Sequence, residues 1–313
     1  MKDEPLLEIE RLSVSFPGAD GGRIRAVRDV SFAVSAGETV AIVGESGCGK
    51  SVIAQAVMRL LPPGTEVSGS VVFGGQDILA ASEKEMEKIR GTRMAMVFQN
   101  PERALNPVLR IGRQLTEPMV LHGLCRREEA EEKALEALTA LGLDAATMRA
   151  YPWMCSGGMC QRVLFAAVSL LQAELVIADE PTKGLDADRI RDLEEMLAGI
   201  TADGRTGLVL ITHDIGLTAR LADRVLVMYC GMIVEAGWAT DVLTAPAHPY
   251  TRGLLGSLPE NGFRPIPGIS PALLDLPSGC AFHPRCGGAD EECRRSVPPM
   301  RENGGRQVRC FRC

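Results

Sequence analysis

The stretch GESGCGKS at residues 44 to 51 stands directly after the apolar run TVAIV and before VIAQAVMRLL, a run compatible with a helix. Glycines at 44, 47 and 49 let the backbone wrap tightly enough for its N–H groups to point at phosphate oxygens, and a following helix N-terminus adds a favourable field. The spacing predicts a cradle for a nucleoside triphosphate built from Gly44, Glu45, Ser46, Gly47, Cys48, Gly49, Lys50, Ser51 and Val52. Lys50 is expected to reach the β- and γ-phosphates and the Ser51 hydroxyl to ligate magnesium. A chance glycine-rich turn is the bland alternative, and the agreement of strand, loop and helix context argues against it.

The second half of such a site should be an apolar strand ending in acid, and LVIADE at 175 to 180 supplies one. Asp179 is expected to hold magnesium through its water shell, with Glu180 placed to polarise an attacking water. Alone, an Asp-Glu pair after a strand is more often a solvated strand end. Its position downstream of a phosphate loop reverses that reading.

Between the two lies CSGGMCQR at 155 to 162, which resembles the signature motif of the ABC ATPases. In that family two cassettes face each other head to tail, and the signature serine and glycines of one close over the γ-phosphate held by the other. The resemblance assigns this trans contact to Ser156, Gly157, Gly158 and Asp186, the last in PTKGLD at 181 to 186. It also implies Phe16 against adenine, Gln99 of MVFQNP at the magnesium and the membrane subunits, and His213 of LVLITHDIG as a switch at the γ-phosphate. Glu180, His213 and Lys50 are thus the catalytic set. For Phe16 a core aromatic at a strand end is the competing reading, and for His213 a surface or capping residue.

Four further stretches look like the peptide and nickel importer ATPases: RALNPVLRIGRQL at 103 to 115, YPWMCSGGM at 151 to 159, HPYTRGLL at 248 to 255 and GCAFHPRC at 279 to 286. The function implied is an ATP-binding, ATP-hydrolysing subunit that powers an importer for peptides or a related small solute. A metal-chelate importer, or an ABC ATPase uncoupled from transport, is the alternative. Its partners would be two transmembrane permease subunits, a homologous second ATPase and, indirectly, an extracytoplasmic binding protein. Met159 is similar to one of two paired ATPase subunits, which points to a heterodimer rather than a homodimer. Lys183, Gly184 and Cys160 depart from the usual pattern and leave the substrate open.

To position these residues the chain must alternate strands and helices, as it does. Leu7 to Ser15 and Val30 to Val34 alternate like antiparallel strands, while Thr39 to Val43 and Leu175 to Ala178 are apolar runs suited to buried parallel strands. Ala130, Ala134, Leu135, Leu138 and Leu141 predict an amphipathic helix between Arg127 and Leu143. The fold expected is α/β: an ABC ATPase cassette with a RecA-like core, an antiparallel β subdomain and a helical signature subdomain over about 100–172, spanning residues 1–256. Five prolines and three glycines make 257–279 a linker, and 280–313 a small Cys-rich C-terminal extension.

With 46% apolar and 24% charged residues the chain can bury a large core, and a net charge of −6 argues against an extended nucleic-acid surface. No run approaches the roughly 18 apolar residues of a membrane span, and MKDEPLLEIERL lacks a basic region followed by an apolar one. The expected place is therefore the cytoplasmic face of the membrane, held there by proteins. Exporters usually fuse spans to the cassette, and chromosome-maintenance ATPases interpose a coiled coil for which 313 residues leave no room.

Five of the ten cysteines fall in the extension. Cys280, Cys286, Cys293 and Cys310 match four cysteines common in the peptide-importer tail, and some relatives resemble iron-sulfur proteins there. Four thiolates suit a [4Fe-4S] cluster or Zn2+, with free thiols the remaining option and Cys313 a spare ligand. Cys48 and Cys155 are both expected beside nucleotide, so that alkylation would inhibit and ATP would protect.

Overall fold

The computed structural model describes residues 4–18, 21–183 and 187–313, without the side chains of Ala187 and Asp188. It divides into two compact units, residues 1–34, 39–80 and 210–313 in one and residues 35–38 and 81–209 in the other.

In the first unit, alternation of apolar residues makes Leu7–Pro17 a strand with one buried face: Leu7, Ile9, Leu12 and Val14 are buried. The two-residue period breaks between Ile9 and Leu12, where the register against Arg23–Val34 also shifts and Arg11 takes φ 47°. This is a β-bulge, and the extra residue restores the apolar set to the core face. The antiparallel sheet runs in the order Arg23–Val34, Leu7–Pro17, Glu66–Phe73, Gln76–Asp77.

The same unit carries the strand that launches the phosphate loop. Thr39–Val43, buried at every position, pairs in parallel with Arg224–Tyr229, as its unbroken apolar run predicts. Arg224–Tyr229 forms an antiparallel pair with Met232–Trp238. Met232–Trp238 is in turn flanked by Arg306–Val308, with Glu235 opposite Val308. The Cys-rich tail thus extends the sheet by two short strands, with Arg301–Asn303 at the edge. Pairing of this kind covers an edge that would otherwise expose unpaired backbone groups. Arg309 strengthens the junction, donating from Nε to the Ile233 carbonyl at 3.1 Å and from Nη2 to Asp29 at 3.2 Å. The Pro/Gly-rich stretch touches this unit at Ile266, whose side chain would stand 2.7 Å from a Cβ added to Gly253. The stretch 257–279, read from sequence as a linker, is grouped with the phosphate loop in the same unit, while its Phe263, Ile269 and Leu274 side chains stay exposed.

In the second unit, Met94–Val97 and Leu175–Asp179 pair in parallel. Helices Ile111–Leu121, Arg127–Ala140 and Gly157–Leu171 enclose a core that includes Ile111, Leu115, Ala134, Leu138, Cys160 and Val163. On Arg127–Ala140 the buried stripe is Ala130, Ala134 and Leu138, a strict four-residue step. Leu135, expected inside, is one position off that stripe and 38% exposed. Among the described residues no helix is long and apolar enough to cross a membrane.

Candidate functional site

The phosphate loop leaves Thr39–Val43 and enters the helix Lys50–Val57. Two of its glycines are required by close approach. Gly44 has φ 155° and its added Cβ would lie 2.2 Å from the Met228 carbonyl oxygen; Gly49 has φ 108° and its Cβ would lie 2.1 Å from that of Ala26. No L side chain fits at either. Gly49 begins the helix without a side-chain cap, so the first-turn N–H groups meet no competing side-chain acceptor from it. Lys50 is 5% exposed, its Nζ donating to the carbonyls of Gly44 at 2.8 Å and Glu45 at 3.1 Å. The Gly231 N–H donates to the Cys48 carbonyl at 2.9 Å and buttresses the loop from behind.

Cys48 faces inward. Burial pushes its thiol up to about 11, against the opposing pull of Lys50. Alkylation needs the thiolate, so burial makes this cysteine a slow target for the alkylation expected to inhibit. Cys155 is half-buried, donates weakly to the Tyr151 carbonyl, and burial raises its pKa too.

In the second unit the strand Leu175–Asp179 ends in two carboxylates, Asp179 and Glu180, each 6% exposed. Glu180 takes φ 48°, a left-handed conformation that costs a non-glycine residue roughly 1–2 kcal/mol. The turn is held by the Lys183 N–H on the Glu180 carbonyl at 3.2 Å, and by Gln161, whose Nε2 donates to the Pro181 carbonyl at 2.6 Å. Gln161 belongs to the helix Gly157–Leu171, so the signature helix and the acidic turn are tied directly. Strain retained at a buried carboxylate against such a tether marks a position the surroundings over-determine.

Ser156 caps that helix, its hydroxyl accepting from the Met159 N–H at 3.3 Å, and with Gly157 it is exposed. Gly158 is buried because the Arg189 guanidinium covers it: an added Cβ would be 2.9 Å from Nη1. Cys160, where the family pattern has arginine, is fully buried and donates to the Pro152 carbonyl, its thiol pushed up to about 11 by burial. Gln99 is half-buried just beyond Met94–Val97. In the first unit His213 is exposed in the turn after Gly207–Thr212, and Asp214 caps the next helix by accepting from the Leu217 N–H at 2.9 Å. Phe16 is half-buried opposite Ile24 near its strand end. Gly184 and Asp186 lie outside the described residues.

Residues that sequence reasoning assigned no role converge on the loop from the C-terminal side. The Glu45 N–H donates to the Tyr250 hydroxyl at 2.9 Å, and the Glu45 carboxylate receives both Nη groups of Arg285, at 2.9 and 3.1 Å. Tyr250 is fully buried; burial and then the Glu45 carboxylate push its phenol upward, so it stays protonated. His248 caps the helix Pro249–Gly256 through Nδ1, which accepts from the Tyr250 N–H at 3.0 Å, and its own N–H donates to buried Glu235 at 2.8 Å. The signal was present in HPYTRGLL and GCAFHPRC, which contain these residues, but local pattern could not say what they touch.

Cys280, Cys286, Cys293 and Cys310 line one cavity of about 50 Å³ together with His248, Phe282 and His283. Burial raises the pKa of Cys280 and Cys293. Among the described residues no group of three or more His, Cys, Asp or Glu is placed to hold a metal ion.

The comparisons with known proteins agree with this geometry. Residues 27–183 match the model of the ABC transporter family, and residues 234–293 match that of the oligopeptide/dipeptide transporter C-terminal region. A dimeric ATP-binding cassette solved in a post-hydrolysis state with ADP and Pi superposes with TM-score 0.67 at 26% identity, covering 74% of this chain and 98% of that one. The fold and its motifs therefore define an ATP-hydrolysing cassette of the ABC transporters. The oligopeptide transport ATP-binding protein OppD of Salmonella typhimurium is 41% identical over 98% of this chain and 93% of its own. The dipeptide transport ATP-binding protein DppD of Bacillus subtilis is 42% identical over 94% and 90%. The chain belongs to this oligopeptide/dipeptide transport ATP-binding family.

Proposed function

We propose that this chain powers the import of peptides, binding and hydrolysing ATP as a peripheral subunit on the cytoplasmic face of a membrane. The observation that carries the reading is end-to-end similarity: 41% identity spans 98% of the chain, including the C-terminal region particular to oligopeptide and dipeptide transporters. Two permease subunits, an extracytoplasmic binding protein and a second cassette complete the assembly, and Met159 favours a homologous rather than identical second cassette.

The division of labour follows from charge. Hydrolysis spreads negative charge over the γ-phosphoryl and leaving oxygens, so the residues needed are donors. The amides of residues 44–52 and Lys50 would hold the phosphates, with Phe16 against the base. Glu180 would orient and deprotonate the attacking water, and His213 would donate to the γ-phosphate. Ser156, Gly157, Gly158 and Asp186 would reach the nucleotide of the other cassette, which makes turnover depend on dimerisation. Ser51, Gln99 and Asp179 are hard oxygen donors that suit Mg2+, which when bound neutralises phosphate charge. Residues of about 100–172 would act as the helical subdomain that carries the signature. Replacing Glu180 by Gln tests the assignment: ATP binding should persist while turnover stalls, and undiminished hydrolysis would remove Glu180 from the mechanism.

The four cysteines lining one cavity would offer soft thiolate donors to a [4Fe-4S] cluster, with Zn2+ the competing occupant, although as they stand no three of them are placed to hold a metal ion. Iron, sulfide and zinc analysis of protein purified without oxygen, repeated on Cys286→Ser, separates the two from free thiols.

A further inference from the structure

Glu45, the second residue of the phosphate loop, is held at three points. Its N–H is fixed by Tyr250, its carbonyl accepts from Lys50, and its carboxylate is forked by Arg285, 240 residues away in the Cys-rich region. The Arg285 side chain is 6% exposed and committed throughout: Nε donates to the Pro267 carbonyl at 3.0 Å, and Nη1 also reaches the Tyr229 hydroxyl at 3.3 Å. Its backbone sits in the tight turn His283–Arg285, just after Phe282, whose ring packs edge-on against Tyr229 and Tyr250 with centroids 5.3 and 5.5 Å apart. The guanidinium is thus rigidly based, and a bidentate pair transmits orientation as well as charge.

We propose that Arg285 is a positioning residue for the phosphate loop: by fixing the Glu45 carboxylate, the C-terminal region sets the turn between Gly44 and Gly47 and thereby the affinity of the cassette for ATP. The inference rests on residues 44–52 being the ATP cradle. Its physical basis is that a loop whose amides must all face one anion loses affinity when it samples other shapes. Glu45 lies at the start of that loop and contacts nothing else with its carboxylate among the hydrogen bonds of the described residues. Arg285 hydrogen-bonds through its side chain to Pro267, Glu45 and Tyr229 and to none of Lys50, Glu180 and His213, so binding should suffer and chemistry should not.

The experiment is titration of the full-length protein with a fluorescent ATP analogue in magnesium buffer, with steady-state ATPase kinetics, for wild type, Arg285→Lys, Arg285→Ala, Glu45→Gln and the double variant Arg285→Ala/Glu45→Gln. The expected result is about tenfold weaker binding for Arg285→Ala and Glu45→Gln, with KM for ATP raised in both and kcat held in Arg285→Ala. The double variant should be no weaker than either single one, and Arg285→Lys, which keeps the charge but not the fork, should fall between. Should Arg285→Ala fail to fold, Arg285→Lys and Glu45→Gln carry the test. Binding within twofold of wild type in the folded variants, or losses that simply add in the double variant, would overturn the proposal. Failure of the wild type itself to bind the analogue would instead overturn the ATP-cradle reading.

Discussion

His248 makes acid an unfolding agent in a calculable way. The ring is 2% exposed, and its Nδ1 accepts the Tyr250 N–H, so the neutral tautomer carries its proton on Nε2. Burial, and then the nearby Arg252, lower its pKa to about 4 from 6.5, while a backbone hydrogen bond to Arg309 works in the other direction. Between those two values the unfolded chain binds a proton that the native state refuses. The stability linked to His248 is therefore complete above about pH 6.5 and is lost as pH falls toward 4. The shift amounts to roughly 3 kcal/mol at about 1.4 kcal/mol per pH unit, a sizeable part of a typical total of 5–15 kcal/mol. In His248→Asn the amide oxygen can still cap Pro249–Gly256, but nothing titrates. Urea unfolding of both proteins from pH 7.5 to 4.5 should show the wild type losing stability relative to the variant below pH 6.5. A difference independent of pH across that range would refute the reasoning, since every other titrating group is shared by the pair.

Gly47→Ala and Gly49→Ala should diverge although both residues have positive φ. Gly47 at φ 80° faces open space and should cost only the left-handed penalty of about 1 kcal/mol, whereas Gly49 at φ 108° would drive a Cβ to 2.1 Å from the Ala26 carbonyl and should cost several times more in urea unfolding; equal costs would contradict the packing. For Glu180→Gln, loss of a general base predicts a fall in ATP turnover of roughly 10²–10⁴-fold at unchanged nucleotide affinity, read by single-turnover hydrolysis beside equilibrium binding.

Much of the candidate site was legible because its logic is local. A phosphate loop is a run of eight residues whose glycines sit where the backbone must turn, and Gly44 and Gly49 show the steric reason in contacts no side chain could share. The Ser-Gly-Gly motif and the apolar run into Asp179 are equally short-range, although the helix cap that Ser156 forms is the plain role set aside in favour of a nucleotide contact. Where period alone spoke, the reading slipped by small amounts: Leu135 fits a loose helical spacing but not the four-residue stripe that is buried.

What the sequence determined by itself was the class of protein and the order of its chemical parts, since those are written in contiguous motifs. The tertiary structure alone decided which way a side chain faces and what distant segments meet. Cys48 and Lys50 are two residues apart, and only packing turns the thiol away from reaction while drawing the amine across the loop carbonyls. The Cys-rich region reads as an appendage because composition changes at 257, yet it contributes a strand opposite Glu235 and an arginine on Glu45. Contacts 240 residues apart leave no periodicity in the chain; they exist because a sheet edge and a loop carboxylate each required a partner, and folding brought one to both.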